Sequence, residues 1–334
     1  MTKQLPRPAR IGIVGTGNIS KLHLDGMREH PDRAVCVALC DPRPDNLKAR
    51  QEEYGIQTTF PSVEEFAAKS GVDAAIVCTP TQLRLEVLEP LMQAGIPILC
   101  EKPLAETYQE AKAIAEAADG YGVPVAVNQN FRRHFTFAMG RDLLARSDFG
   151  KPIHLVQKAM GLRRDAGWRL DRHRYVMSVM SIHWFDGYRF LLDDEPETIY
   201  VRGVNSPATP GGNDTAVSMV LEFGKGAVVC LSESFSSFTG DWDGTLYCDC
   251  ERGGLVMGYG KIETVDAARQ KQAFENPYDK AQATYYVLDD LLSAVEEGRQ
   301  PETAVQDNIK SLRIMEAAYR SLAEGRVVRI EEIQ

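Results

Sequence analysis

The stretch Gly12-Ile13-Val14-Gly15-Thr16-Gly17-Asn18-Ile19-Ser20 joins a short apolar run, residues 10–14, to a helix-prone segment that reaches about residue 30. A G-x-G-x-x-small turn between a strand and a helix has the form of the phosphate turn of a dinucleotide-binding βαβ unit. Gly15 permits the tight turn, Gly17 lets the backbone approach a pyrophosphate, and Ser20 is small enough for close helix–strand packing. The amides and dipole at the start of the helix attract anionic groups. The next apolar run, residues 34–40, ends at Asp41-Pro42, and Asp41 stands 21 residues beyond Ser20. A carboxylate there accepts hydrogen bonds from adenosine ribose hydroxyls and repels a 2′-phosphate. That favours NAD over NADP, with Arg43 softening the preference. The same aspartate can also close an Asx turn in an ordinary strand–turn–helix.

Outward from this turn, strands at 74–78, 97–100 and 123–127 alternate with helix-prone segments at 45–54, 83–94 and 107–118. Gly55 suits a left-handed C-cap, Ser62 and Glu65 have capping-box spacing, and Pro90 predicts a kink. Strands separated by helices at this pitch imply parallel βαβ units, hence a doubly wound α/β Rossmann domain. Glu101-Lys102-Pro103 ends the strand at 97–100, on the edge where such sheets bind ligands. A lysine at that point can hydrogen-bond a cofactor ribose and a substrate hydroxyl together.

The second half changes character. A helix at 135–146 precedes a strand at 153–160, and Met180, Trp184, Tyr188 and Leu191 form a helical stripe within 178–192. Short strands follow at 198–204, 216–223, 227–234, 245–250 and 255–257, with a hairpin turn at 223–226. Two helices, at 280–296 and 304–322, precede a short apolar end at 327–330. This predicts an α+β domain with an open-faced, mainly antiparallel sheet. The expected division is a Rossmann domain over 1–127 and a substrate-binding and oligomerisation domain over 128–334, whose C-terminal helix and tail can pack back on the first.

The 334 residues are 44% apolar and 25% charged, which excludes a mainly disordered chain. The formal net charge of −9 opposes general binding to nucleic acid. Seven cysteines, an odd number without a Cys-x-x-Cys pair, read as buried thiols rather than a disulfide framework or zinc site. No apolar run approaches the roughly 18 residues of a membrane span, and the N-terminus has no signal-like apolar core. The expectation is a cytoplasmic protein with no membrane, nucleic-acid or metal partner.

The ordered motifs resemble the Gfo/Idh/MocA oxidoreductases, the glucose–fructose oxidoreductase and inositol dehydrogenase family. The matching pieces are residues 12–20, Thr79-Pro80-Thr81, the run 94–103 ending in Glu101-Lys102-Pro103, and Asn130-Phe131-Arg132. They continue with Trp168-Arg169, Ser181-Ile182-His183-Trp184-Phe185-Asp186 and residues 317–328. The resemblance implies a nicotinamide cofactor, NAD or alternatively NADP, in the first domain and a sugar, polyol or sugar acid as substrate. It implies Lys102 and His183 at the reacting oxygen. Gly15, Gly17, Asn18, Ile19, Asp41, Arg43, Thr79, Pro80, Glu101 and Lys102 are the expected cofactor contacts. Lys102, Arg132, Trp168, Arg169, His183 and Asp186 are the expected substrate contacts, and a homodimer or homotetramer is the expected assembly.

Three positions depart from the family pattern. Val179 stands where an aspartate is common four residues before the histidine, Ser181 replaces a glycine, and Arg84 replaces a histidine after the Thr-Pro segment. Asp171 or Asp186 are candidates to replace the lost carboxylate. The departure at Val179 keeps two alternatives open beside a dehydrogenase: a glycoside-cleaving enzyme that oxidises its sugar transiently with bound NAD, and an NAD-binding regulator with a decayed site. Five arginines between 163 and 174 point to an anionic substrate such as a sugar acid.

Overall fold

The computed structural model describes residues 4–146, 148–164, 174–209, 214–277 and 280–334, with the side chains of 280 and 281 left aside. The chain divides into two compact units, one of residues 1–130 and 279–312, the other of 131–278 and 313–334.

The first unit is a Rossmann fold. Strands β1 (Ala9–Val14), β2 (Ala34–Cys40), β3 (Thr58–Phe60), β4 (Ala74–Val77), β5 (Ile98–Cys100) and β6 (Val125–Val127) form one sheet in the order β3-β2-β1-β4-β5-β6. Every pairing in it is parallel. Strand order reverses between β1 and β4, so their carboxyl ends open the crevice where such sheets take ligands. The strands are apolar because helices cover both faces: Ile11, Ile13, Leu39, Ile76 and Leu99 are fully buried. The helices are α1 (Asn18–Arg28), α2 (Pro44–Tyr54), α3 (Val63–Lys69), α4 (Arg84–Gln93) and α5 (Tyr108–Tyr121). Their ends follow local chemistry. Gly55 caps α2 at φ 72°, Ser62 Oγ accepts from Glu65 N to start α3, and Thr107 with Glu110 makes a full capping box for α5.

Helix α8 (Lys280–Glu297) belongs to this unit, although it lies far along the chain. Leu288, Leu291 and Leu292 enter the same buried cluster as Leu24 and Met27 of α1. Tyr285 stacks on His30 at 3.9 Å, and Arg33 donates to Asp289 and Glu296. An apolar stripe on α8 thus finds its partner some 250 residues upstream, a pairing no local pattern encodes.

The second unit is α+β. Nine strands form a mixed sheet in the order β14-β13-β12-β11-β7-β10-β9-β8-β15. They are β7 (Pro152–Met160), β8 (Pro196–Val204), β9 (Ala216–Phe223), β10 (Val228–Ser234), β11 (Leu246–Cys250), β12 (Gly253–Met257), β13 (Lys261–Asp266), β14 (Lys271–Glu275) and β15 (Val328–Arg329). Only the β7–β10 pairing is parallel. Helices α6 (Phe135–Leu144) and α7 (Ile182–Leu192) pack on one another in this unit, and α9 (Val305–Glu324) precedes β15. Gly187 lets the Phe137 ring press on α7, since a Cβ there would stand 2.6 Å from it.

Three strands go unread from sequence alone. Strand β3 is three residues long, and β13 and β14 are charged outer strands in which β14 is nearly all exposed. Period-two alternation needs one buried face, and β14 has none. The helical stripe at 178–192 also divides: residues Met177–Ser181 form a π-helical turn ahead of α7.

Candidate active site

In the first unit the expected cofactor residues collect at the carboxyl ends of neighbouring strands. Gly15 follows β1 at φ +90°, and a Cβ on it would stand 2.8 Å from the Cys78 carbonyl carbon and 2.9 Å from Thr79 N. Only glycine allows that turn and that contact. Gly17 differs: a Cβ there would meet nothing within 4 Å, so its surface faces open space. Helix α1 starts at Asn18 with no side-chain cap; Ser20 N turns back to the Gly17 carbonyl at 3.2 Å, and the amides of Asn18 and Ile19 ahead of it can take an anion. Asp41, buried at the end of β2, accepts from Thr16 N (2.9 Å), Thr16 Oγ1 (3.1 Å) and Asn46 Nδ2 (3.2 Å) on one oxygen. Its other oxygen accepts from Arg43 N at 2.9 Å, an Asx turn, and lies 3.8 Å from the exposed Arg43 guanidinium. The carboxylate therefore both closes its own turn and ties β2 to the glycine turn. Open space over Gly17, uncapped amides and an adjacent carboxylate are a donor and acceptor set that fits a dinucleotide.

Glu101 follows β5 and is buried. It accepts from Asn128 Nδ2 at 2.7 Å and pairs with His23 Nε2 at 2.7 Å on the same oxygen. Burial pushes this carboxyl up, but the His23 bond, the charges of His23 and Lys102, and the Asn128 amide outweigh it and hold it below its ordinary range. Lys102, half-buried, thus extends from a turn whose preceding residue is fixed on two sides. Arg84 is buried behind that turn and donates to the Val77 carbonyl at 3.5 Å and the Pro103 carbonyl at 3.4 Å. Cys78 and Cys100 are nearby; burial pushes both thiols up, Cys100 to about 11, and Arg84 opposes the rise. Thr79 and Pro80 continue from β4, with Thr79 Oγ1 buried and unpartnered.

In the second unit His183 lies on the first turn of α7, buried, its ring stacked on Phe131 at 4.2 Å and 10°. Arg132 and Asp186 bind each other: Arg132 Nε and Nη2 donate to the two carboxylate oxygens at 2.7 and 2.8 Å. Arg189 adds a contact at 3.4 Å, and Asp186 is wholly buried. Val179 is buried in the π-helical turn. Trp168 and Arg169, together with Asp171, lie outside the described residues. Of the arginines around them, Arg163 lies over the Phe235 ring at 4.9 Å and Arg174 is bound by Glu316. Among the described residues no group of three His, Cys, Asp or Glu side chains is arranged to hold a metal ion.

Sequence reasoning passes over His23, Asn128, Asp214 and Glu233. Asp214 accepts from Tyr175 N and Met177 N, anchoring the π-helical turn, and burial pushes its carboxyl up to about 6. Glu233 accepts from Ser181 Oγ and from Trp184 Nε1 at 3.1 Å. A signal for Glu233 exists: it shares the buried phase of β10 with Val229 and Leu231.

Comparison with known proteins agrees with this architecture. Residues 9–129 match a family described as an oxidoreductase family with an NAD-binding Rossmann fold, and residues 137–256 match the GFO/IDH/MocA C-terminal domain. The chain belongs to the Gfo/Idh/MocA oxidoreductase family. It is 26% identical over 338 residues to D-apiose dehydrogenase of Paraburkholderia graminis, covering 96% of this chain and 90% of that one. It is 24% identical over 344 residues to inositol 2-dehydrogenase of Rhizobium meliloti, covering 96% and 99%. An Agrobacterium radiobacter oxidoreductase, solved in complex with NAD+, L-tartaric acid and magnesium, superposes with a TM-score of 0.90 at 20% identity, over 98% of this chain and 100% of that one. No helix of the described residues is long and apolar enough to cross a membrane.

Proposed function

We propose that this oxidoreductase is a dehydrogenase of a sugar, polyol or sugar acid, using Lys102 and His183 at the reacting oxygen. The observation that carries the reading is the turn at Glu101-Lys102-Pro103, where a carboxylate clamped by His23 and Asn128 fixes the backbone from which Lys102 extends. The residues over 15–19, with Asp41, Arg43, Thr79, Pro80 and Glu101, hold the dinucleotide. Bound NAD would supply the hydride acceptor for the carbon that bears the reacting hydroxyl. Lys102 donates a hydrogen bond to that hydroxyl oxygen and stabilises charge developing on it. His183 takes the hydroxyl proton in oxidation and returns it in reduction. Asp41 selects NAD, because a second anion beside this buried carboxylate is repelled. Arg132 and Asp186 hold the helix that bears His183, and Trp168 and Arg169 contact the substrate.

The names of the relatives, inositol and apiose dehydrogenases, support the substrate class. The tartrate in the Agrobacterium structure and the arginines at 163, 164, 169 and 172 support a carboxylate-bearing substrate, whereas Arg174 is neutralised by Glu316. All seven thiols are free, which suits a reducing compartment, and we place the protein in the cytoplasm. We assign it a homodimer or homotetramer built on the exposed face of the second sheet.

The test is a spectrophotometric panel of myo-inositol, D-apiose, D-glucose and D-glucuronate with NAD and with NADP. Lys102→Ala should abolish turnover while calorimetry shows NAD affinity largely kept; undiminished turnover refutes the role. Glycoside cleavage without net NADH identifies the transient-oxidation alternative. NAD binding without turnover of any sugar or polyol identifies the regulator.

A further inference from the structure

The imidazole of His183 stands at the end of a chain of contacts that begins on a buried carboxylate. Its ring lies flat on Phe131, and Trp184 meets the same phenyl ring at 4.8 Å and 65°. The indole Nε1–H of Trp184 donates to Glu233 Oε1 at 3.1 Å, and Ser181 Oγ donates to Glu233 Oε2. Glu233 is 1% exposed, on the face of β10 that also buries Val229 and Leu231. Ser181 and Trp184, three residues apart, lie on one side of the helix and bracket His183 in sequence.

Burying a carboxylate among apolar neighbours costs several kcal/mol unless hydrogen bonds compensate it, and pure packing is served better by an apolar side chain. Here the charge grips the helix start at two points. It holds the first turn of α7 through Ser181 and, through Trp184, braces the edge of Phe131, whose ring also meets His134, Phe137 and Tyr259. Arg132 grips α7 one turn further on, through Asp186, but the start of the helix has no side-chain cap. That start follows a π-helical turn, and the residue one turn before His183 is Val179.

We infer that Glu233 is a positioning residue for His183, acting from strand β10 through Ser181, Trp184 and Phe131 to set the plane in which the imidazole is presented. The inference rests on the proposed role of His183. Misaiming a catalytic group by about 1 Å lowers turnover about a hundredfold without weakening binding in proportion.

The test uses the full chain labelled with 13C-histidine, with His183 assigned by the signal that vanishes in His183→Asn. Stacking on the Phe131 face shifts the His183 ring protons upfield in the wild type. Glu233→Gln keeps size and an acceptor for Trp184 but loses the charge and the second acceptor. Trp184→Phe removes the N–H together with part of the ring's bulk, and keeps an aromatic edge against Phe131. Both should move the His183 ring protons downfield, toward an unstacked imidazole. On the best substrate of the panel above, both should lower kcat about 10- to 100-fold with KM within about twofold. Unchanged His183 resonances in both variants overturn the inference. If Glu233→Gln fails to fold, Trp184→Phe and Ser181→Gly decide by the same signal. Full turnover by His183→Asn overturns the role of His183 itself, whereas its loss beside silent Glu233 and Trp184 variants overturns the inference alone.

Discussion

His23 Nε2 and Glu101 Oε1 stand 2.7 Å apart, both side chains nearly sealed from solvent, so helix α1 holds the carboxylate that precedes Lys102. Removing one partner of such a pair leaves the other buried and under-compensated. His23→Ala should lower the unfolding free energy by about 3 kcal/mol in urea titrations. The pH dependence follows from the depressed Glu101 carboxyl. Between its folded value and its ordinary 4.5 the unfolded chain binds more protons than the folded one. The stability it supplies is therefore full above 4.5 and lost as pH falls through the folded value. That acid-side loss should shrink in His23→Ala.

The two motif glycines should respond differently to the same added methyl group. Gly15→Ala meets the backbone of Cys78 and Thr79 at under 3 Å and strains a φ of +90°, so the protein should melt at lower temperature. Gly17→Ala meets nothing in the protein and should leave the melting temperature within about 2 °C of wild type. Its methyl group occupies the space proposed for the pyrophosphate. Calorimetry should show NAD affinity reduced at least about tenfold in Gly17→Ala, a loss of roughly 1.4 kcal/mol. Equal affinities in Gly17→Ala and wild type would remove the phosphates from this turn.

Asp214 makes a prediction of opposite sign to Glu101. Burial raises its carboxyl to about 6 from an ordinary 3.8, so between these values the folded chain binds more protons than the unfolded one. Its contribution is fully present below 3.8 and is lost as pH rises through 6. In paired urea titrations, the stability of wild type relative to Asp214→Asn should fall between pH 4 and pH 6.5, by about 1.4 kcal/mol for each pH unit of displacement. A constant difference would show that Asp214 is ionised in both states.

The Rossmann half is legible because its determinants are local: a glycine turn, all-apolar strands, an acidic residue after β2, and capping residues at helix starts. The second half is legible only in outline. Strand β14 carries no apolar phase, and α8 pairs with α1 through contacts about 250 residues apart. The candidate site divides the same way. Gly15, Gly17 and Asp41 announce themselves by spacing, whereas Glu233 and Asp214 matter through what tertiary packing brings to them. Glu233 still leaves a trace, a charged residue in the buried phase of β10.

The proposed assembly makes the last prediction. Tyr247, Val156, Cys230, Val220 and Tyr200 stand in register across β11, β7, β10, β9 and β8. They share the outward face of the sheet, with Tyr247 53%, Val156 41% and Val220 38% exposed. An apolar row across five adjacent strands is costly to leave in water and suits a second copy of the same face, an isologous contact. Val220→Asp places a charge at its centre opposite Cys230. In a self-paired interface that charge must be desolvated near its own symmetry mate, whereas on a free surface it costs only the poor strand propensity of aspartate, about 1 kcal/mol. Sedimentation velocity should therefore show wild type as a dimer or tetramer and Val220→Asp shifted to smaller species, with a melting temperature that depends on protein concentration in wild type only. A wild type that sediments as a monomer of 37.1 kDa removes this face from the assembly.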